Sequence, residues 1–320
     1  MRERLRRVLD AVERVPLSVR LAVGALAAAA AIAGTIAHER NDNGSDGSIA
    51  GAETPSAYRG GHSWMPSRAK PNSVVWAVGD AADGGTAASK VASMIRSNRI
   101  DLLLYLGDVY DSGTALEYDR NYRPIYGGLA WITAPTIGNH EWPNVATGYV
   151  PYWTAARGTP PPLWYAFAAS GWQLISLNSN LPTSGDQEGW LHSLIEATPN
   201  YGNCRIAFMH HPRYSAGPHG DLTALQGIFD ELSGHATISL SGHDHDMQRV
   251  LPIEGITQYV DGAGGDELYP INRDDARLAF FDDTHHGALR IALQPGSAVL
   301  TFVDQGGTTL DRSTVNCQEA

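Results

Sequence analysis

Five short motifs carry the side chains that could do chemistry in this chain. They are Gly79-Asp80, Gly107-Asp108-Val109-Tyr110, Gly138-Asn139-His140-Glu141, His210-His211-Pro212 and Gly242-His243-Asp244-His245. Their carboxylates, imidazoles and amide oxygen form a donor set for borderline divalent and trivalent metals. A carboxylate that bridges two such ions holds them roughly 4 Å apart, a spacing suited to in-line displacement at phosphorus. If residues 242–245 are extended, His243 and His245 point to one side, and Asp244 and Asp246 to the other, in a supporting role or toward solvent. A glycine ahead of the ligand lets the backbone turn tightly toward the ions. Each motif alone has a plainer reading. Gly-Asp at a strand end is a common turn, Asn139 could cap a turn, and His140 could be a surface histidine. His210-His211 could be a plain loop, and His-x-His at 243 and 245 fits a solvated loop equally well.

What sets the five apart is where they fall. From Pro71 the chain alternates short apolar runs with helical spacing. The β-branched run Val74–Val78 ends at Gly79-Asp80, and Leu102–Leu106, apolar throughout, ends at Gly107-Asp108. Further strands are predicted over Thr133–Ile137, Trp172–Leu177, Ile206–Met209 and Thr237–Leu240, and helices over Thr86–Ser97, Gln187–Glu196 and Leu222–Leu232. After Val250 the pattern is mostly β, over Thr257–Val260, Ala288–Leu293 and Ala298–Val303. An α/β layered domain with a β-rich end follows. Every motif then lies at the C-terminal end of a strand. Parallel strands of one sheet would bring those ends to one pocket, where α/β proteins bind ligands.

The order of these motifs resembles that of the calcineurin-like metallophosphoesterases. The details are similar to their purple-acid-phosphatase branch: Gly138–Glu141, Trp172–Asn180, Gln187–Leu191, Cys204–Gly220 and Gly242–Arg249, with the likeness covering residues 74–317. The resemblance implies a four-layer α/β/β/α sandwich holding two metal ions, of iron, manganese or zinc. It implies that Asp80 and His245 hold the first metal, that Asn139, His210 and His243 hold the second, and that Asp108 bridges both. His140 and His219 would contact the phosphate outside the metal shell. The implied reaction is attack of a metal-bound hydroxide on a small phosphorylated substrate, a phosphate monoester, with His140 or His219 assisting the leaving oxygen. A phosphodiesterase or nucleotidase built on the same centre is the alternative, and a membrane-tethered binding domain without catalysis is a third reading. The branch usually has Tyr three residues after the bridging Asp; here Asp111 stands there and Tyr is at 110. A strand-end residue one step off is expected to point elsewhere, so that the first site either lacks a phenolate or uses Asp111 instead, and ferric iron is not expected.

The chain has 320 residues and a net charge of −11, with no Lys/Arg run outside the N-terminus, so a nucleic-acid-binding surface is not expected. Residues 1–16 are basic, and Leu21 to Ala37 carry no charge, which at 1.5 Å per residue spans roughly 26 Å. Arginine ahead of an apolar run favours insertion with the start in the cytoplasm. Residues 17–37 are therefore a signal anchor or a cleaved signal peptide, with a buried Ala-rich helix as the alternative. Either of the first two places the rest of the chain outside the cytoplasm. Residues 38–70 are polar and rich in Gly and Ser, a flexible linker, and 71–320 form the catalytic domain. Two cysteines could pair in an exported domain or remain inert thiols. In resembling bacterial proteins cysteines occur together at the places of Cys204 and Cys317, which implies a disulfide between them.

Overall fold

The computed structural model describes residues 64–67 and 70–318. The basic start, the apolar segment 17–37 and most of the linker lie outside the described residues. Among the described residues no helix is long and apolar enough to cross a membrane.

The domain is a mixed α/β sandwich built on two sheets. Among the described residues thirteen strands run in chain order: β1 (Ser73–Val78), β2 (Leu102–Tyr105), β3 (Thr133–Pro135), β4 (Tyr165–Ala169), β5 (Trp172–Ser176), β6 (Arg205–Phe208), β7 (Ile238–Ser241), β8 (Met247–Val250), β9 (Thr257–Asp261), β10 (Leu278–Asp282), β11 (Gly287–Gln294), β12 (Ser297–Asp304) and β13 (Thr309–Asn316). One sheet has the order β13-β12-β11-β1-β2-β3, the other β10-β8-β9-β7-β6-β5-β4. The parallel pairs are β1 with β2 and β2 with β3 at one end of the first sheet, and β5-β6-β7-β9 in the middle of the second. The longer helices are α1 (Thr86–Ser97), α2 (Tyr149–Arg157), α3 (Gly185–Ala197) and α4 (Gln226–Leu232).

Side-chain alternation explains the layering. In β1, Val75 and Ala77 enter a core between the sheets with Leu102 and Leu104 of β2 and with Leu174, Ile206 and Ile238 of the other sheet. The alternate residues Val74, Trp76 and Val78 face outward onto Val91, Ala92 and Ile95 of α1. Across the sandwich, Ile175 and Ala207 pack against Leu191, Leu194 and Phe229 of α3 and α4. Both faces of β1 and β2 are thus covered, which is why Val74–Val78 and Leu102–Leu106 read as unbroken apolar runs.

The strand ends that carry the motifs come from two sheets rather than one. Asp80, Asp108 and Asn139 follow β1, β2 and β3, whereas His210 and His243 follow β6 and β7 of the facing sheet. The inter-sheet core sets the two rows of parallel strands side by side, so their C-terminal ends still meet. Four strands the sequence pattern did not signal, β4, β8, β10 and β13, are all antiparallel additions at or near the edge of a sheet.

Cys204 and Cys317 form a disulfide across 113 residues, with Cα atoms 5.0 Å apart. It fastens the end of β13 to the start of β6; beside it the Asn203 amide donates to Gln318 O at 3.1 Å. Closing so long a loop stabilises by roughly 4–5 kcal/mol in the chain-entropy model. The double variant Cys204→Ala/Cys317→Ala is expected to melt at a lower temperature, and reductant should shift the wild type alone. A wild type and a double variant with equal melting temperatures would show that the bridge is not stabilising.

Candidate metal centre

Half of the six proposed ligands are set by a tight left-handed backbone turn. Among the described residues five non-glycine residues have positive φ, and three of them are Asp80 (56°), Asp108 (68°) and His243 (73°). Such conformations are costly and gather at functional sites, where the surrounding fold enforces them. The neighbouring glycines are needed for space. A Cβ on Gly138 would lie 1.8 Å from Asp108 Oδ1, one on Gly242 2.4 Å from Asp80 Oδ2, and one on Gly107 2.7 Å from His210 Nδ1. The glycines therefore admit the ligand side chains themselves, beyond easing the turn.

The donor atoms converge. Asp80, Asp108 and His210, all buried, each offer one atom within 4.8 Å of the others, and so do His210, His211 and His243. His210 Nε2 lies 2.7 Å from Asn139 Oδ1 and 3.3 Å from Asp108 Oδ2. His243 Nδ1 is 3.2 Å from His210 Nε2, and its backbone N–H donates to Asp80 Oδ2 at 2.9 Å. His245 Nε2 is 3.4 Å from Asp80 Oδ1. Buried carboxylates facing several imidazoles and an amide oxygen fit two metal ions: this donor set is their chemistry, and the left-handed turns aim it inward.

Ring orientation is fixed from behind. His210 Nδ1 pairs with Leu106 O at 2.9 Å and His245 Nδ1 with Glu267 O at 2.7 Å, leaving Nε2 of each toward the centre. Tyr269 stacks on His245 with ring centroids 4.0 Å apart. Glu141 Oε2, fully buried, accepts from the backbone N–H groups of Asp108 and Gly138, both at 3.0 Å, and so ties the two loops together. Burial, and then the charge of Asp108, push the Glu141 carboxyl up to about 8. Burial would raise Asp108 too, but His210 and His140 beside it outweigh that and hold it below the ordinary carboxylate range. Burial would depress His210; Asp108 prevails and raises it to about 10. The pocket's carboxylates thus draw positive charge toward themselves, whether from protons or from metal.

His140 and His219 stand at the rim. The His140 backbone N–H donates to Asp108 Oδ1 at 3.1 Å, its Nδ1 bonds Asp111 O, and its Nε2 is 3.8 Å from Asp108 Oδ2. His219 Nδ1 meets Asp244 Oδ1 at 2.8 Å, and its ring lies 4.2 Å from that of His243.

Of the two places open to Asp244 and Asp246, a supporting role or solvent, the structure takes the first: both are fully buried, and Asp244, besides holding His219, accepts from Ser215 Oγ and from the His219 backbone N–H. The segment 242–245 is bent by the positive φ of His243 and is not a regular strand. One sequence expectation is corrected: Tyr110 does not point away. Its hydroxyl is 2.9 Å from Asp80 Oδ1, 3.4 Å from Asp108 Oδ2 and 2.8 Å from His245 Nε2, whereas Asp111 is exposed. The left-handed conformations of Gly107 and Asp108 rotate the chain just after β2, so counting steps from the strand gave the wrong side. Glu141, Asp244 and Tyr269 gave little warning in the sequence beyond their place in or near a motif.

The calcineurin-like phosphoesterase family model matches residues 73–247. A probable cyclic nucleotide phosphodiesterase of Synechococcus is 26% identical over 194 residues, which cover 54% of this chain and 68% of that protein. Among solved structures, GAP50, the anchor in the inner membrane complex of Plasmodium, is similar with a TM-score of 0.66 at 16% identity, over 78% of this chain and 90% of that one. Purple acid phosphatase PPD1 from yellow lupin seeds gives 0.64 at 15% identity, over 77% and 54%. A dimetal phosphatase from Danio rerio gives 0.57 at 15%, over 78% and 100%. At these identities the structural likenesses speak for the fold. The family match, however, runs from the first residue of β1 to the first of β8, more than half the chain and across every motif from Asp80 to His245, and the chain belongs to the calcineurin-like phosphoesterase family.

Proposed function

We propose that this phosphoesterase hydrolyses phosphate monoesters at a two-metal centre, on the outer side of a membrane. The observation that carries the proposal is the convergence of Asp80, Asp108 and His210 below two rim imidazoles, His140 and His219. The helices packed outside both sheets are in keeping with a four-layer α/β/β/α sandwich. Asp80, His245 and Tyr110 would hold one ion, Asn139, His210 and His243 the other, and Asp108 both. Ions held there supply positive charge that activates water and offsets charge on the phosphoryl oxygens. The protein's own part is to orient the ester through His140 and His219 and to give a proton to the leaving oxygen. A diester substrate is the second reading, favoured by the name of the Synechococcus relative, a probable cyclic nucleotide phosphodiesterase. Rates on p-nitrophenyl phosphate and its bis-ester, across a series of metals, separate the two. A larger kcat/KM for the bis-ester would overturn the monoester reading.

The outward location rests on the Arg-rich start and on Leu21–Ala37. A reporter fused after Ala320 that is active only in the cytoplasm would overturn it.

Tyr110 makes a further expectation specific. Burial, then the charges of Asp80 and Asp108, raise its phenol well above the usual range, so it stays protonated unless a cation is present. Loading with ferric iron is expected to produce a visible phenolate-to-iron absorption band, absent in Tyr110→Phe. A colourless ferric protein, or a band that survives the substitution, would remove Tyr110 from the metal shell.

A further inference from the structure

Among the described residues six imidazoles line this pocket, and the group behind each ring decides what its other nitrogen offers. His210, His245 and His140 place Nδ1 against the carbonyls of Leu106, Glu267 and Asp111. A carbonyl only accepts, so in the neutral ring the proton sits on Nδ1 and Nε2 presents a lone pair. The Asp244 carboxylate holds His219 in the same sense. His243 turns Nδ1 itself toward His210.

His211 is held differently. Its Nδ1 lies 2.8 Å from Ser179 Oγ, and the same oxygen accepts the His211 backbone N–H at 2.9 Å. Ser179 is 1% exposed, and a buried hydroxyl needs an acceptor for its hydrogen; Nδ1 provides one. The neutral ring then carries its proton on Nε2 and can donate without becoming charged. That ring is half-buried beside the second-metal residues, with centroids 4.3 Å from His243 and 4.9 Å from His210.

We infer that His211 is a substrate-binding residue that donates from Nε2 to a phosphoryl oxygen, and that Ser179 positions it. The inference rests on the monoester reading and sharpens it. A monoester has three non-bridging oxygens and up to two negative charges, where a diester has two and one. An uncharged donor added to two ions, His140 and His219 serves the extra oxygen. Loss of His211 should therefore weigh more on monoesters than on diesters.

The test uses full-length, metal-loaded protein with His211→Phe, which keeps a ring against His243, and His211→Gln, which keeps a donor. Metal content, calorimetric affinity for inorganic phosphate, and kcat/KM on p-nitrophenyl phosphate and its bis-ester are measured together. His211→Phe is expected to keep its metal and to bind phosphate about ten- to a hundred-fold more weakly, the scale of one hydrogen bond to a charged oxygen. Its monoester-to-diester ratio should fall, and His211→Gln should recover part of both losses. Ser179→Ala should move the same readouts less, and Ser179→Thr should restore them. Metal loss in His211→Phe would make His211 a ligand instead, and unchanged phosphate affinity would make it packing; either result overturns the inference. A wild type that hydrolyses neither ester would count against the monoester reading, while the phosphate arm would still decide the role of His211.

Discussion

Asp108→Asn is expected to lose metal and activity together. The side chain of Asp108 lies between the two groups of ligands, 3.3 Å from His210 Nε2 on one side and 3.4 Å from the Tyr110 hydroxyl on the other. Asn keeps its size and, like Asp, tolerates the left-handed backbone found there, so the loop after β2 should survive. What disappears is the negative charge, and with it the ability to bridge two cations. Bound metal should fall below two equivalents, and the rate by at least ~10²–10³-fold, the scale for removing one electrostatic stabiliser. Elemental analysis and a rate measured on one preparation check this. A variant that retains both metals would end the bridging assignment.

His140→Ala is expected to do the opposite with metal and a comparable thing to rate. The His140 ring is anchored to Asp111 O, and its backbone N–H, which alanine keeps, is the group bonded to Asp108 at 3.1 Å. Both metals should stay while the rate falls by ~10²–10⁴-fold, as for loss of a general acid. If the ring protonates the leaving oxygen, the loss should shrink for p-nitrophenyl phosphate and grow for an alkyl phosphate, whose leaving group is poorer. If His140 only orders the loop after Asn139, the variant should lose metal or melt earlier, with equal fractional losses on both substrates. Equal losses with depleted metal would end the acid assignment.

The sequence by itself determined which residue types meet, in what order, and on what kind of element. Thr86–Ser97 was legible as a helix because Ala88, Val91, Ala92 and Ile95 repeat with helical spacing, and the same residues pack on β1. β1 and β2 were legible because strands covered on both faces favour continuous apolar runs. The runs stop where the ligands begin. Local pattern is set by local burial, and that much a chain carries without its fold.

The tertiary structure decided the rest. Nothing in β1 or β7 states that they belong to different sheets; the two-sheet core between Val75 and Ile238 settles that. Strand counting failed at Tyr110 because alternation holds only while φ stays extended, and Asp108, like His243, is left-handed. Whether these two residues adopt that cost depends on contacts from afar, such as Glu141 bonded to the Asp108 amide and Asp80 to the His243 amide, 163 residues apart. The direction of a side chain beyond a strand end is fixed by partners distant in the chain, so it was not readable from neighbours in sequence.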